Sequence, residues 1–236
     1  MKITMITGPT AGIGKSLAYQ LAQRGENLLL IARREERLRS ISEDIQNKFN
    51  VKVLYFVADL TAQEAPNSIY QYCKEHDLDV STLVLNAGYQ INTRLHEASI
   101  EDEESCLRVL GLSVIMQTKL HLTDFVKRGG GKIMVVSSIA AFAPTSKEFA
   151  VLYGPVKTFM NRFVEGINGA YNKDNIFATS VCPGFTTTEF HEMSGTQERM
   201  DKVPSFMKMT ADDVAKEGIA GMDKNKEIVI TGGLNR

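Results

Sequence analysis

Cysteine is scarce in this chain of 236 residues, which contains only Cys73, Cys106 and Cys182. The three are widely spaced and no C-x-x-C pair occurs, so the sequence predicts neither a disulfide framework nor a zinc site. Such usage is typical of a reducing compartment, and we expect a cytoplasmic protein. The four histidines are scattered without a partner at metal-ligand spacing, so no metal site is predicted.

Long apolar runs and an excess of one charge are also missing. No apolar run approaches the roughly 18 residues that a membrane-spanning helix needs, so no span is predicted. The net charge of −1 gives no electrostatic reason to expect binding to nucleic acid or to an anionic membrane. The first ten residues, MKITMITGPT, contain too short an apolar stretch for a signal peptide and indicate a first strand followed by a turn.

Short apolar runs alternate with longer helical patterns along the chain. We predict strands at residues 2–7, 27–32, 51–58, 81–86, 132–137, 176–182 and 227–231. Several runs are apolar nearly throughout, as in strands that are buried on both faces. Strands separated by helices indicate right-handed βαβ units, and therefore an α/β fold with a parallel sheet between two layers of helices. No linker-like segment divides the chain, so residues 1–236 are interpreted as one domain.

The helical patterns carry recognisable start and stop signals. The first helix has apolar residues at four-residue spacing from Ile13 and is predicted to end at Gly25. A later helix follows Thr61 and Glu64, which have the spacing of a capping box. A long helix is predicted over residues 103–127, before a run of three glycines. The remaining helices are predicted at residues 38–49, 151–171 and 210–222.

A glycine-rich turn separates the first predicted strand from the first predicted helix. Its glycines are Gly8, Gly12 and Gly14, with the spacing G-x-x-x-G-x-G. Small residues let the backbone turn sharply and approach a pyrophosphate, while the helix N-terminus offers free N–H groups and a partial positive charge. We therefore predict a dinucleotide site at this turn. The alternative is a tight turn without a ligand.

The turn and several later motifs together resemble the short-chain dehydrogenase/reductase family. The motifs are Thr7-Gly8-Pro9-Thr10-Ala11-Gly12-Ile13-Gly14, Asp59-Leu60, Asn86-Ala87-Gly88, Ser137-Ser138, Tyr153 with Lys157, and Pro183-Gly184 with Thr188. They occur in the family's order, at predicted strand ends, over essentially the whole chain. The resemblance implies a doubly wound Rossmann fold with a seven-stranded parallel sheet.

The resemblance also implies a role for each motif. The residues expected to hold a nicotinamide dinucleotide are Gly8, Thr10, Gly12, Ile13, Gly14, Asp59, Leu60, Asn86, Ala87, Gly88, Tyr153, Lys157, Pro183, Gly184, Thr186 and Thr188. Lys157 is expected to hold the nicotinamide ribose. Ser138 is expected to hydrogen-bond the substrate oxygen, with Ser137 as the alternative.

The end of the second predicted strand indicates which dinucleotide is preferred. A carboxylate there would hydrogen-bond the ribose hydroxyls of NAD, but this sequence has Ala32 followed by Arg33 and Arg34. A guanidinium suits a 2′-phosphate, so NADP(H) is predicted over NAD(H), with Arg33 the nearer candidate. The alternative is that both arginines begin a solvated helix face, because further charged residues follow.

Two Y-x-x-x-K pairs occur, Tyr153 with Lys157 and Tyr70 with Lys74. Only the first follows a strand that ends in serine, so it is interpreted as the acid–base pair and the second as surface helix. The i,i+4 spacing places both side chains on one helix face. A neighbouring ammonium is expected to lower the phenol pKa from about 10, so that Tyr153 can exchange a proton with a carbonyl or alcohol oxygen.

Two departures from the family pattern bear on turnover. The family usually has an asparagine in the long helix, where it anchors a water of the proton relay, and ungapped alignment puts Leu110 there. The spacing from Ser138 to Tyr153 is also two residues longer than is usual, and we assign the extra residues to 145–148. Both departures concern turnover and the substrate pocket rather than dinucleotide binding.

We therefore predict an NADP(H)-dependent oxidoreductase that interconverts a carbonyl and a secondary alcohol on a small or lipid-like substrate. One alternative is NADP(H) binding with little turnover, as in a sensor or scaffold, and another is epimerisation or dehydration with retained cofactor. By resemblance, helices 103–127 and 151–171 form a homodimer or homotetramer interface. Residues 185–209 have little pattern and are interpreted as a substrate lid, with a plain surface loop as the alternative.

Overall fold

The computed structural model describes residues 1–144, 150–190 and 194–233. The insertion assigned to residues 145–148, and residues 191–193 of the predicted lid, lie outside this description. The strands are β1 Lys2–Thr7, β2 Leu28–Ala32, β3 Val53–Val57, β4 Asp79–Leu85, β5 Gly131–Val136, β6 Ile176–Cys182, β7 Thr186–Thr187, β8 Met209–Thr210 and β9 Ile228–Ile230. The α-helices are α1 Gly12–Gln23, α2 Glu35–Phe49, α3 Ala65–Glu75, α4 Ile100–Leu107, α5 Ser113–Arg128, α6 Tyr153–Tyr171, α7 Gln197–Lys202 and α8 Ala211–Asp223.

Seven strands form one parallel sheet in the order β3-β2-β1-β4-β5-β6-β9. The seven predicted strands are confirmed, and their ends differ from the predicted ones by at most two residues. The strand order reverses between β1 and β4, and in doubly wound sheets ligands bind at the carboxyl ends of the strands at such a switch point. The glycine-rich turn follows the carboxyl end of β1 and so lies at this switch point.

Alternating side chains of the sheet enter two separate cores. Ile3 and Met5 of β1 pack with residues of α3, α5 and α6 on one face. Ile6 of β1 and Leu28 of β2 pack with residues of α1, α2 and α8 on the other face. The central strands are thus covered on both sides, which explains their nearly continuous apolar sequences.

The capping box predicted at Thr61 and Glu64 is wrong. Helix α3 begins at Ala65, and Glu64 makes no side-chain cap. The hydroxyl and the backbone N–H of Thr61 instead donate to Asp59 Oδ1 at 2.9 and 3.0 Å. An aspartate side chain that bonds the backbone two residues on offers the chain a turn in place of a helix start.

The long helix predicted at residues 103–127 is present but contains an irregular turn. Helices α4 and α5 are joined by five residues of π-helix, Arg108–Leu112. The hydroxyl of Ser99 accepts the N–H of Asp102 at the start, and Gly129 ends the helix with φ +78°. Single π-helical turns are frequent at functional sites, and this one contains Leu110.

No helix within the three described ranges combines the length and the apolar content that a bilayer crossing requires. Cys73, Cys106 and Cys182 are all buried free thiols.

Candidate active site

The N-terminus of α1 forms one wall of a cleft at the carboxyl edge of the sheet. No side chain caps this terminus and no acidic residue stands in its first turn, so its N–H groups remain available. Gly8 and Gly12 have φ of +67° and +51°. A Cβ on Gly14 would overlap the carbonyl oxygen of Gly8, and one on Gly12 would lie 3.0 Å from Thr188. The turn therefore requires glycine at all three positions.

The cleft has a volume of about 520 Å³ and extends from the glycine turn to Tyr153. It brings together the residues that were predicted to bind the dinucleotide or to act in catalysis. These residues are Gly8, Thr10, Gly12, Ile13, Gly14, Arg33, Arg34, Asp59, Leu60, Asn86, Ala87, Gly88, Ser138, Tyr153, Lys157, Pro183, Gly184, Thr186 and Thr188.

The end of the cleft beyond β2 carries the two arginines. A guanidinium nitrogen of Arg33 lies 3.8 Å from a carboxylate oxygen of Asp59. Arg34 Nη2 donates to Thr10 Oγ1 at 3.0 Å, which ties the arginine to the glycine turn. Ala32 ends the strand without a carboxylate. This end of the cleft therefore presents two guanidinium groups, one of them partly balanced by Asp59.

The other end of the cleft holds the tyrosine, the lysine and a serine. Tyr153 begins α6 and Lys157 follows one turn later. Ser138, just beyond β5, hydrogen-bonds the side chain of Tyr153. The hydroxyl of Ser137 instead donates to the backbone carbonyl of Lys157 at 3.1 Å. Ser138 therefore faces the phenol, whereas Ser137 is turned toward the interior.

The pKa of Tyr153 differs from the one expected from its spacing to Lys157. Lys157 Nζ donates to the Val136 carbonyl oxygen at 2.9 Å and lies 5.4 Å from the centre of the Tyr153 ring. Burial raises the pKa of Tyr153 to about 12, although the hydrogen bond from Ser138 acts in the opposite direction. The expected lowering of the Tyr153 pKa is therefore wrong for this structure, because the cost of burying a phenolate outweighs the hydrogen bond from Ser138, and Cys106 raises the pKa further.

Burial also changes the lysine. The pKa of Lys157 is lowered to about 8, since its ammonium is removed from water and has one backbone carbonyl as hydrogen-bond acceptor. Near neutral pH the phenol is thus protonated and the lysine is charged. That combination suits a tyrosine that donates a proton to an oxygen beside it.

Leu110 lies against the active site at the π-helical turn. It is buried, and a Cβ on Gly88 would come within 2.8 Å of its Cδ2 atom. It packs with Cys106 and Val156, and Tyr153 contacts the same cluster. This side of the tyrosine is therefore apolar, and the leucine offers no hydrogen bond where the family usually has asparagine.

The sequence reasoning missed an aromatic lining near Tyr153. Tyr89, Phe185 and Phe190 all line the cleft, and the ring of Phe190 lies 6.1 Å from that of Tyr153. Tyr89 and Phe185 stand in loops after β4 and β6, and Phe190 stands in a helical turn after β7. No periodicity marks these side chains as inward-facing. Tyr89 directly follows the N-A-G motif and Phe185 directly follows the P-G motif, whereas no sequence signal marks Phe190.

A second missed feature connects the loop after β6 with α2. Arg37 Nη1 lies 3.0 Å from Glu189 Oε2, an ion pair between residues 152 positions apart. Glu189 lines the cleft, and the neighbouring Thr188 lies over Gly12. The loop is therefore held against both the glycine turn and α2.

The second Y-x-x-x-K pair lies elsewhere. The Tyr70 hydroxyl and Lys74 Nζ both donate to Asp124 Oδ2, at 3.0 and 2.7 Å. Neither residue lines the cleft. The pair thus joins α3 to α5.

Among the residues that the structure describes, no group of three or more histidines, cysteines or carboxylates is arranged to hold a metal ion.

Comparison with known proteins adds to this geometry. A family profile described as short chain dehydrogenase matches residues 2–199. The very-long-chain 3-oxoacyl-CoA reductase of Rattus norvegicus is 29% identical over 221 residues, which are 91% of this chain and 66% of the relative, so the chain spans slightly less than two thirds of that protein. The 3-oxoacyl-[acyl-carrier-protein] reductase FabG of Aquifex aeolicus is 27% identical over 188 residues, covering 80% of this chain and 75% of the relative.

A solved structure agrees in both sequence and fold. The short-chain dehydrogenase from Sphingobium yanoikuyae in complex with NADPH aligns with a TM-score of 0.89 and 26% identity, covering 98% of this chain and 87% of the other. The profile match extends from β1 through the Tyr153–Lys157 pair to α7. By its sequence, and with the sheet order and cleft described above, this chain belongs to the short-chain dehydrogenase family.

Proposed function

We propose that the protein reduces a ketone or aldehyde to an alcohol with NADPH. The observation that carries this proposal is the meeting of Tyr153, Lys157 and Ser138 at one end of the cleft, with the glycine turn and two arginines at the other end. The carbonyl substrate would lie beside the Tyr153 hydroxyl. NADPH, when bound, supplies the hydride.

Each of the three residues would have a separate task. Tyr153 would donate its hydroxyl proton to the substrate oxygen as that oxygen gains negative charge. Ser138, which hydrogen-bonds Tyr153, would orient the same oxygen. The ammonium of Lys157 would stabilise the phenolate left after proton transfer and would hold the nicotinamide ribose. With a pKa of about 12, Tyr153 is protonated at neutral pH, which is the form that can donate a proton.

The residues at the glycine turn and at the end of β2 fit NADP(H). The uncapped N-terminus of α1 suits a pyrophosphate, and the three glycines leave room for it. Arg33 and Arg34 would take the 2′-phosphate, where a carboxylate at position 32 would have repelled it. The NADPH in the Sphingobium yanoikuyae complex supports this assignment.

We expect Arg33→Ala to weaken NADPH binding by about tenfold to a hundredfold, since it removes a charge-assisted hydrogen-bond partner of the 2′-phosphate. NADH affinity should change by less than about twofold, because NADH has no such phosphate. Cofactor fluorescence titrations at fixed ionic strength give both values. Arg39→Ala is a matched control, because Arg39 lies nearby in the chain, on α2, but does not line the cleft. Equal losses for NADPH and NADH would contradict the assignment.

The substrate would be a carbonyl compound with apolar flanking groups, small or lipid-like. Tyr89, Phe185, Phe190 and Ala143 line the cleft near Tyr153 and favour such groups. The relatives named above are reductases of 3-oxoacyl thioesters. Residues 185–209 would cover this substrate. Strand β7 near the start of this segment pairs with β8 at its end, so the two ends are held together.

The test is NADPH oxidation with a panel of ketones of increasing apolar size, including a 3-oxoacyl thioester. Turnover with one class and not with small polar ketones is expected. NADPH binding without turnover on any member would favour the second candidate, a sensor or scaffold that binds NADP(H). The observation that favours this candidate is Leu110, whose side chain cannot take part in a proton relay.

We also propose that the protein is a cytoplasmic homodimer or homotetramer assembled through α5 and α6. Leu112 beside α5, Met116 on α5 and Phe159 on α6 are each exposed by more than a third. Light scattering should give a mass of two or four chains. Phe159→Glu should reduce that mass to one chain or to half, because it places a charge in an apolar interface.

A further inference from the structure

A buried polar cluster lies directly behind Lys157. Tyr153, Lys157 and Asn161 follow one another at intervals of four residues on α6 and so share one face of the helix. Asn161 faces β6, where Ser180 and Cys182 point to the same side of the sheet as α6. All three side chains of this Asn161 cluster, Asn161, Ser180 and Cys182, are at most 3% exposed.

The contacts within the Asn161 cluster are short and specific. Ser180 Oγ donates to Asn161 Oδ1 at 2.6 Å. Cys182 Sγ lies 3.6 Å from Asn161 Oδ1 and 3.6 Å from Ser180 Oγ. Asn161 Nδ2 is buried and has no hydrogen-bond partner among the described residues. A buried amide group left without a partner costs free energy, so this cluster is not what packing alone would select.

Most of the neighbouring buried side chains between α6 and the sheet are apolar, which sets the Asn161 cluster apart. Met160, Val164 and Ile167 of α6 pack in the same core as Ile176 and Ala178 of β6. Apolar side chains at positions 161, 180 and 182 would continue this packing. Asn168 of α6 also bonds β6, through the Ala178 backbone, but its side chain is only partly buried. Beyond Lys157, the fully buried polar side chain of this helix is Asn161, in the turn that follows the lysine.

Two connections join the Asn161 cluster to Lys157. Cys182 acts to raise the pKa of Lys157, Lys157 acts to lower that of Cys182, and Ser137 hydrogen-bonds the thiol. The Ser137 hydroxyl also contacts the Lys157 carbonyl oxygen. The other titratable groups facing Lys157 are Tyr153 on its own helix and Cys106 on α4, and β5 contributes only the Val136 carbonyl.

We infer that Asn161 is a positioning residue, which acts with Ser180 and Cys182 to hold Lys157 in place and to stabilise its charged form. The inference rests on the proposed function, because it gives Lys157 a part in turnover. The opposite side of Tyr153 is closed by the apolar Leu110, so the electrostatic support of the pair comes from the β6 side. Within the cluster, Cys182 acts to raise the pKa of Lys157 and so opposes the effect of burial, and Asn161 and Ser180 contact that thiol.

The test is the pH profile of kcat/KM for carbonyl reduction with two substitutions of similar size. Activity should fall as Lys157 loses its proton. Asn161→Asp places a carboxylate one turn from Lys157. It should shift the descending limb to higher pH, by about one pH unit or more. Asn161→Leu removes the amide oxygen that Ser180 and Cys182 contact and should move the descending limb to lower pH. A purely structural role would lower activity without moving the limb in opposite directions.

Two further variants keep the inference falsifiable if the aspartate variant does not fold. Ser180→Ala removes the hydroxyl that donates to Asn161 Oδ1. It should shift the descending limb to lower pH, as Asn161→Leu does. Thr179→Val is the matched control, because Thr179 is a buried polar residue of the same strand on its opposite face. Its limb should coincide with that of the wild type.

The outcomes separate the inference from the proposed function. If the wild type reduces ketones and the limbs of Asn161→Leu and Ser180→Ala coincide with the wild-type limb, the inference is wrong and the proposed function stands. Limbs that move as described support it. If the wild type has NADPH affinity but no activity on any ketone, the proposed function fails and the inference falls with it.

Discussion

Replacing Tyr153 with phenylalanine should reduce kcat for carbonyl reduction by about 10²- to 10⁴-fold, the range expected when a general acid is removed. The substitution deletes one hydroxyl and keeps the ring that packs near Phe190 and the Leu110 cluster. NADPH affinity and the melting temperature should therefore change little. Steady-state kinetics, cofactor titration and thermal unfolding measure the three quantities.

The chain supplies its own control for this experiment. Tyr70→Phe makes the same change in the second Y-x-x-x-K pair, where the hydroxyl bonds Asp124 on the surface of α3 and α5. We expect turnover to remain within about twofold of the wild type, since Tyr70 does not line the cleft. If Tyr153→Phe retains ordinary turnover, Tyr153 is not the acid. If the wild type binds NADPH but shows no turnover, the result favours the second candidate function, NADP(H) binding as a sensor or scaffold.

The sheet could be predicted from the sequence because burial on both faces leaves a simple signal. Each strand is a short apolar run, and helices with apolar residues at four-residue spacing separate the runs. The glycine turn was also predictable, since Gly14 stands where a Cβ would overlap the Gly8 carbonyl. Burial selects apolar residues in the strands, and lack of space for a Cβ selects glycine in the turn. Both the sheet and the turn can therefore be recognised from residue types alone.

Other features depend on three-dimensional contacts that spacing does not encode. The i,i+4 spacing places Lys157 beside Tyr153, but its ammonium bonds the Val136 carbonyl, which comes from a different element. The sign of the Tyr153 pKa shift follows from burial, which is a property of the folded cleft. The π-helical turn at Leu110 and the placement of the Phe190 ring near Tyr153 likewise depend on packing against neighbouring elements.

Replacing Lys157 with methionine should abolish turnover and at the same time stabilise the protein. Burial lowers the pKa of Lys157 from 10.5 to about 8, and each pKa unit corresponds to about 1.4 kcal/mol between the two protonation states. The charged lysine therefore costs about 3 kcal/mol at pH 7, reduced by about 1 kcal/mol for its hydrogen bond to Val136. We expect the free energy of unfolding to rise by about 1–3 kcal/mol, and kcat for reduction to fall by about 100-fold or more.

The pH dependence of this gain distinguishes a buried charge from a simple packing effect. Below pH 8 the lysine is protonated in both states, so the full cost is present. Between pH 8 and 10.5 the unfolded chain binds the proton more tightly than the folded chain, so wild-type stability rises with pH and the advantage of the methionine variant fades. Urea unfolding at pH 7 and pH 10 measures the change.

The matched control is Lys74→Met, and it should have the opposite sign. Lys74 is about half exposed and bonds Asp124, which raises its pKa, so its charged form is favoured in the folded protein. Removing it should slightly lower stability at pH 7 and leave turnover unchanged. If the stability difference between Lys157→Met and the wild type is the same at pH 7 and pH 10, the pKa of Lys157 is not lowered by burial. Lys157 would then not be a residue whose charge is maintained for catalysis at the expense of stability.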